Sequence, residues 1–194
     1  MSGGASDAPP HPSPPRPSAD RVLRRDRYFM TIARAVREAA NCLGSQVGAV
    51  VVVDDHIVST GYNGTPHGFP NCRDGGCLRC RDRDLHRLGL EGAMSDPEHL
   101  PGRGLDRCIC VHAEQNTLLA AARFGVRIDG STLYSTLSPC FGCLKEAIQA
   151  GVRRVVYDQE YPVAPAGPIA EQYRALAAHL CRDDPRGFGP LPID

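Results

Sequence analysis

Two short segments of the sequence carry the residues that most constrain this chain. The first segment, CVHAE, supplies His112 and Glu114, and the second, SPCFGC, supplies Cys140 and Cys143. Zinc is bound by imidazole and thiolate, and a catalytic zinc site uses three protein ligands and leaves a fourth position for water. His112, Cys140 and Cys143 therefore predict a catalytic zinc site.

Glu114, two residues after the predicted ligand His112, is the candidate proton carrier. A carboxylate in that position could take a proton from water and pass it to a ring nitrogen and then to a leaving amine, which is hydrolytic deamination of a nucleobase. A Cys-x-x-Cys pair alone is also typical of a purely structural zinc site, which is the alternative. The two segments together, in this order, favour the catalytic interpretation.

The sequence around both segments predicts helices that could bring these ligands together. Ser138 is a good N-cap for a helix over residues 140–150, so both cysteines would lie in its first turn, where the helix dipole favours thiolates. A second helix is predicted over residues 112–124. Because residues two apart on a helix do not share a face, His112 and Glu114 can reach one ion only if His112 stands at the very start of that helix.

The remaining periodicity predicts an alternation of strands and helices. A β-branched run and the segment after Asp54 and Asp55 predict a hairpin, and a strand, helix and strand follow the first motif, which predicts a parallel pair. The predicted helices are 21–40, 112–124, 140–150 and 169–180, and the predicted strands are 47–53, 56–62, 131–136 and 152–157.

Composition limits the classes of protein that fit. The chain has 194 residues, enough for one globular domain, and its 22 basic and 22 acidic residues balance, which argues against a dedicated nucleic-acid binder. It shows no signal-peptide or membrane-spanning stretch, so the nine cysteines are interpreted as reduced thiols in a cytoplasmic protein. We expect a disordered Pro-rich segment over 1–20, a folded domain over 21–181 and a loosely held tail over 182–194.

Residues 70–110 look like an insertion that is rich in Arg, Asp, Gly and Cys. With little apolar content it needs something to hold it, and the Cys77 to Cys80 spacing is that of a zinc knuckle. A second, structural zinc is one hypothesis, and free buried thiols are the other. A short helix is predicted over 84–90, and His86 within it is a further candidate ligand. The candidate cysteines outside the catalytic motif are Cys42, Cys72, Cys77, Cys80, Cys108 and Cys110.

Several motifs in order resemble the deoxycytidylate deaminases of the cytidine-deaminase-like superfamily. They are RDRYFM, SQVGAV, GYNGTP, CVHAEQN and SPCFGC, over about residues 25–162. The resemblance implies a three-layer α/β/α fold with a five-stranded mixed sheet. It also implies hydrolysis of a cyclic amidine, converting dCMP to dUMP and ammonia, in a homo-oligomer (a hexamer or a dimer) with allosteric regulation by nucleotides and Mg²⁺.

The resemblance also suggests individual residues. Cys42 and Cys72 match positions that bind a second zinc in some members, and Cys77 and Cys110 are our choice to complete that set. The GYNG loop is associated with nucleotide contact, which favours a substrate-binding role for Asn63 over the alternative of a plain Asn-Gly turn. Tyr161 is a further candidate substrate contact, although it could simply pack.

Other functions remain open from the sequence. They are deamination of tRNA adenosine, deamination of another nucleoside-type small molecule or base, and a non-catalytic zinc module. The neutral charge and the GYNG loop disfavour the first, and the intact Glu114 disfavours the last.

Overall fold

A computed structural model describes residues 18–89, 108–161 and 167–192 of the chain. The strands within these ranges are β1 (Gly48–Val53), β2 (His56–Tyr62), β3 (Thr132–Leu137), β4 (Arg154–Gln159) and β5 (Phe188–Pro190). The helices of the same ranges are α1 (Ala19–Arg37), α2 (Leu78–Arg87), α3 (Ala113–Arg123), α4 (Phe141–Gln149) and α5 (Pro168–Leu180), and a 3₁₀ turn covers Cys72–Asp74.

The five strands of the described ranges form one mixed sheet in the order β2-β1-β3-β4-β5. Strand β1 is antiparallel to both β2 and β3, whereas β3, β4 and β5 run parallel to one another. Asp54 and Asp55, which connect β1 and β2, have φ of 47° and 65°, as tight hairpin turns require. The predicted hairpin and the predicted parallel pair around α4 are both confirmed.

Helices pack on both faces of the sheet, because the central strands are apolar on both sides. Val50 and Val52 of β1 face α1, where they pack with Phe29, Met30 and Ala33. Ala49 and Val51 of the same strand belong to the other core, which α3, α4 and α5 cover. A continuous β-branched strand buried on both faces is typical of such a layered sheet. The expected three-layer α/β/α fold with a five-stranded mixed sheet is confirmed.

The C-terminal segment differs from the prediction. We expected a loosely held tail after residue 181, but Phe188–Pro190 pairs with β4 as the edge strand, and Leu191 is buried in the core next to α1. A three-residue strand that contains glycine and proline gives almost no periodic signal, and an edge position tolerates that proline.

The helix boundaries also shift. Helix α1 begins at Ala19 after the N-cap Ser18, so residues 18–20 are not part of a disordered segment, and residues 1–17 lie outside the described ranges. Helix α2 begins at Leu78 and not at residue 84. The side chain of His86 and much of the predicted insertion, residues 90–107, lie outside the described part. No helix of the described part has the length and apolar character to cross a bilayer.

Candidate active site and cysteine cluster

The side chains of His112, Cys140 and Cys143 meet where α3 and α4 begin. Nδ1 of His112 lies 3.3 Å from Sγ of Cys143 and 3.5 Å from Sγ of Cys140, and the two sulfurs are 3.5 Å apart. A tetrahedral zinc ion separates a nitrogen and a sulfur ligand by ~3.6 Å and two sulfur ligands by ~3.8 Å. The three donors therefore have the chemistry and the spacing that zinc requires.

His112 occupies the position on which the prediction depended. It is the N-cap of α3, with an extended backbone, and its N–H donates to Oε1 of Gln115 at 3.1 Å. Gln115 also donates through Nε2 to Glu146 of α4 at 3.2 Å, so one side chain links the start of α3 to α4. The expectation that His112 stands at the very start of its helix is confirmed.

The start of α4 differs in detail from the prediction. Cys140, not Ser138, is the N-cap, and Cys143 lies in the first turn. Ser138 instead accepts a hydrogen bond through Oγ from the N–H of Tyr161 at 2.7 Å. The carbonyl oxygen of Pro139 accepts a hydrogen bond from the hydroxyl of Tyr173 at 2.8 Å. These bonds hold the connection that follows β3 in place, and the cysteine pair still begins a helix as expected.

Glu114 is an almost fully buried carboxyl group beside these ligands. Its side chain is only 4% exposed, and Oε1 accepts a hydrogen bond from the hydroxyl of Ser135 at 2.9 Å. Burial raises the pKa of Glu114, and the nearby His112 opposes that shift. A carboxyl group whose pKa is raised holds its proton more firmly, so it can serve as an acid as well as a base, which suits acid–base chemistry. Ser135 was not predicted as a site residue, because its only signal in the sequence was an inward position on β3.

The side chains of His112, Cys140 and Cys143 also influence one another's ionisation. Hydrogen bonding with Cys143 lowers the pKa of Cys140 to about 4, with a smaller contribution from His112. Hydrogen bonding to Cys140 in turn raises the pKa of His112 to about 9. One sulfur of the pair is thus stabilised as the thiolate that binds metal.

The predicted substrate contacts Asn63 and Tyr161 line the same cleft as His112, Glu114 and Cys140. The side chain of Asn63 is buried and bridges two backbone groups. Its Oδ1 accepts from the N–H of residue 47 at 2.8 Å, and its Nδ2 donates to the carbonyl of residue 45 at 2.7 Å. These bonds use one of two acceptor sites and one of two donor hydrogens of the amide. Asn63 therefore has a structural role as well as a position in the cleft.

Two arginines of α2, which sequence analysis missed, line the cleft as well. Arg79 is 9% exposed and Arg83 is partly buried, and both belong to the lining that contains Glu114. Residues four apart lie on one helical face, so a correct prediction of the start of α2 would have identified the pair. Arg83 lies against Gly44, where a Cβ would overlap its Nη2 atom.

Six of the seven cysteines outside the triad gather into one cluster, in which all but the partly buried Cys108 are buried. Among the described residues, two groups of four cysteines could each hold a metal ion, and the two groups share Cys80 and Cys110. Cys42 and Cys72 complete the first group, so Cys80 takes the place that we gave to Cys77. The full memberships are Cys42, Cys72, Cys80 and Cys110 in one group and Cys77, Cys80, Cys108 and Cys110 in the other.

The metal-capable groups of the described residues contain only cysteine and histidine. These ligands favour zinc, whereas magnesium prefers carboxylate and water oxygens. Nothing in the described part of the chain therefore supports the magnesium that the resemblance implied.

The fold and the site define an α/β domain in which an ionisable carboxyl group lies beside three side chains able to hold a metal ion. Residues 23–159 match the family described as "Cytidine and deoxycytidylate deaminase zinc-binding region", and the chain belongs to this family.

Individual relatives support the same assignment. The deoxycytidylate deaminase of Saccharomyces cerevisiae is 39% identical over 136 residues, which are 70% of this chain but 38% of that protein. The deoxycytidylate deaminase of Mycobacterium phage D29 is 40% identical over 135 residues, which are 70% of this chain and 94% of that one. Among solved structures, the dCMP deaminase of cyanophage S-TIM5, in complex with dCMP and dUMP, has a TM-score of 0.57 and 30% identity, covering 86% of this chain and 95% of that chain.

Proposed function

We propose that this protein catalyses the hydrolytic deamination of dCMP to dUMP and ammonia. One observation carries the proposal: a single cleft is lined both by the buried Glu114 with His112 and Cys140 and by the cationic side chains Arg79 and Arg83. The first set suits the amino group of a cytosine ring, and the second suits a phosphate. The relatives named deoxycytidylate deaminase and the structure bound to dCMP and dUMP support this substrate.

Glu114 is the residue that moves protons in the proposed reaction. His112, Cys140 and Cys143 would hold the zinc ion, which would act as a Lewis acid and make water nucleophilic at neutral pH. Glu114 takes a proton from the water whose oxygen bonds to C4 of the pyrimidine. It then delivers that proton to N3 and assists the transfer of another to the leaving amine, so that the C4–N bond breaks and ammonia leaves. The buried Ser135 hydroxyl holds the carboxyl group in place during these transfers.

The proton transfer can be tested with a charge-removing variant that keeps the shape of the side chain. We expect Glu114→Gln to abolish ammonia release from dCMP while the zinc content stays unchanged, because the amide can neither take nor give the proton. Glu171→Gln, an equivalent change at an exposed position, is the matched control and should keep the full rate. Full activity of Glu114→Gln would exclude the proposed mechanism.

The phosphate of the substrate is proposed to contact Arg83, the more exposed of the two arginines in the cleft. A hydrogen bond to a charged group contributes about 1.5–3 kcal/mol, which corresponds to about tenfold to hundredfold in kcat/KM. Arg83→Ala should therefore lower kcat/KM for dCMP by that factor and leave the slower reaction of deoxycytidine nearly unchanged. Arg81→Ala is the control, because Arg81 lies on the same helix but is exposed and pairs with Asp82.

The choice of substrate can be tested directly by comparing dCMP, CMP, dCTP, deoxycytidine and adenosine in tRNA. Ammonia release that is fastest with dCMP would support the proposal. Release only from tRNA adenosine or only from a free nucleoside would overturn it in favour of the other functions that the sequence left open. Release from none of them, with zinc bound, would indicate a non-catalytic zinc module.

The assembly, the location and the structural metal are part of the same proposal. We propose a homo-oligomer, since Leu119 of α3 and Phe124 directly after α3 are 60% and 75% exposed and apolar side chains of this size favour burial. Light scattering coupled to size-exclusion chromatography measures the subunit number, and a monomer at assay concentration would contradict it.

We also propose a cytoplasmic location, which would keep the cysteine cluster reduced and able to hold structural zinc.

A further inference from the structure

The six-cysteine cluster has more sulfur ligands than one zinc ion can use. Zinc in a structural site takes four ligands, and each four-sulfur group of the cluster has its ligand atoms within 4.8 Å of one another. The two groups share Cys80 and Cys110. A single ion in either group would leave two cysteines of the other group without a metal although they lie in the same buried cluster.

We propose that this cluster binds two zinc ions that are bridged by the sulfurs of Cys80 and Cys110. Cys42 and Cys72 are the terminal ligands of one ion, and Cys77 and Cys108 are the terminal ligands of the other. Each ion then has four thiolate ligands, and all six sulfurs bind metal. The proposal concerns a structural site and does not depend on the reaction catalysed in the cleft.

The distances between sulfurs match shared tetrahedral coordination. Sγ of Cys80 lies 3.7 Å from Sγ of Cys42 and 3.6 Å from Sγ of Cys108, so it has a close neighbour in each group. Sγ of Cys77 lies 3.7 Å from Sγ of Cys108. Two sulfurs on one tetrahedral zinc are separated by ~3.8 Å, whereas a disulfide bond measures ~2.0 Å. The arrangement therefore corresponds to metal ligands and not to disulfides.

The surroundings of the sulfurs also suit thiolates bound to metal. Cys72, Cys77 and Cys80 are 0%, 1% and 2% exposed. The backbone N–H of residue 43 points at Sγ of Cys72, and that of residue 44 points at Sγ of Cys42, both at 3.3 Å. Hydrogen bonds from backbone amides stabilise negative charge on sulfur and are typical second-layer contacts of metal sites.

The charge of the proposed cluster has a counterpart in the same region. Two zinc ions carry four positive charges and six thiolates carry six negative charges, so the cluster has a net charge of about −2. Arg79 and Arg83 line the cleft whose wall also includes Cys80 and Cys110. Two guanidinium groups in this position offset the buried negative charge, which would otherwise be costly.

The first experiment counts metal ions on the full-length protein. After saturation with zinc and removal of loosely bound ions, native mass spectrometry and elemental analysis should give three zinc ions per chain. Two of them belong to the cluster and one to His112, Cys140 and Cys143. The variant Cys140→Ala should retain two zinc ions. This count distinguishes loss of the ion at His112, Cys140 and Cys143 from loss of an ion in the cysteine cluster.

Terminal-ligand variants separate two ions from one. Cys72→Ser and Cys77→Ser each remove a ligand that belongs to one group only, so each should lower the count from three to two. With a single ion in the cluster, one of these variants would leave the count unchanged, which would overturn the proposal. Cys181→Ser, a cysteine outside both groups, is the control and should keep all three ions.

Cadmium NMR on the unmodified protein tests the bridge without any variant. Two cadmium signals typical of four thiolate ligands, with coupling between them through shared sulfur, would support the proposal. One such signal, two uncoupled signals, or iron in the elemental analysis would overturn it.

Discussion

The hydrogen bond between Ser135 and Glu114 gives a sharp test of how the site is positioned. The donor Ser135 lies on β3 and the acceptor Glu114 lies on α3, and the hydrogen bond between them measures 2.9 Å. Ser135 is 0% exposed and Glu114 is 4% exposed, so water cannot readily replace the hydroxyl. The perturbation is Ser135→Ala, which removes one oxygen atom and leaves the strand otherwise intact.

The size of the effect follows from burial and charge. A hydrogen bond to a charged group contributes about 1.5–3 kcal/mol, and an unsatisfied buried acceptor bears a desolvation penalty of similar size. If the bond acts on the carboxylate during proton transfer, kcat should fall by about tenfold to hundredfold. The Ser135 hydroxyl also lowers the pKa of Glu114. Its removal raises that pKa further, so the acidic limb of the rate profile should move to higher pH.

The assay combines the pH profile of dCMP turnover by Ser135→Ala with a double-mutant cycle on the free energy of unfolding. Ser135→Ala, Glu114→Gln and the double variant give the coupling energy between the two side chains, which we expect to be above ~1 kcal/mol in stability. Ser131→Ala is the control, since Ser131 is 1% exposed and its hydroxyl has no hydrogen-bond partner among the described residues. Additive stability effects and an unmoved pH profile would refute the positioning role.

Two further predictions concern the scaffold. Arg154 donates two hydrogen bonds, of 2.6 and 2.7 Å, to the buried carboxylate of Asp26, so Arg154→Met should lower the free energy of unfolding by about 3–5 kcal/mol. The control is Arg153→Met at the neighbouring exposed position, which should change the free energy of unfolding in a urea titration by less than ~0.5 kcal/mol. Equal effects of the two variants would contradict a stabilising role of the buried pair. A Cβ at Gly61 would overlap the backbone of α3, so Gly61→Ala should cost about 1–3 kcal/mol or more. Gly189→Ala, where a Cβ has no neighbour within 4 Å, should be neutral in the same titration.

The meeting of His112, Cys140 and Cys143 could be predicted because these residues lie in two short segments. The residue types of His112, Cys140 and Cys143 are typical of a zinc ligand set, and β-branched runs indicate the strands of the sheet. The requirement that His112 begin a helix was a geometric consequence of helical spacing, and the structure meets it. Periodicity likewise gave the hairpin and the parallel pair.

The parts that escaped prediction depend on tertiary contacts with little local signal. Ser135 is one alternating residue of a strand, and nothing in the sequence links it to Glu114. The edge strand Phe188–Pro190 is too short and too rich in glycine and proline to show a period. The start of α2 was misplaced because its Arg-rich sequence has few apolar residues to mark a buried face, and that error concealed Arg79 and Arg83.

The cysteine cluster and the catalytic ligands are joined by a very short piece of chain. Cys110 belongs to both four-sulfur groups, and His112 follows two residues later. Val111 between them is bonded to the loop after β2, since its N–H donates to the carbonyl of Gly64 at 2.8 Å and its carbonyl accepts from the N–H of Gly64 at 3.2 Å. A cluster that fixes Cys110 therefore also fixes the backbone that presents His112.

This connection predicts different consequences for two cysteine variants. Cys110→Ser should speed amide hydrogen exchange at Val111 and weaken zinc binding by His112 and its partners in competition with a chelator, because the segment loses its anchor on one side. Cys77→Ser removes a ligand from a more distant part of the chain and should leave both measurements close to those of the unmodified protein. Equal exchange rates at Val111 in the two variants would mean that the Gly64 contact alone positions His112, and that the cluster stabilises only the insertion around α2.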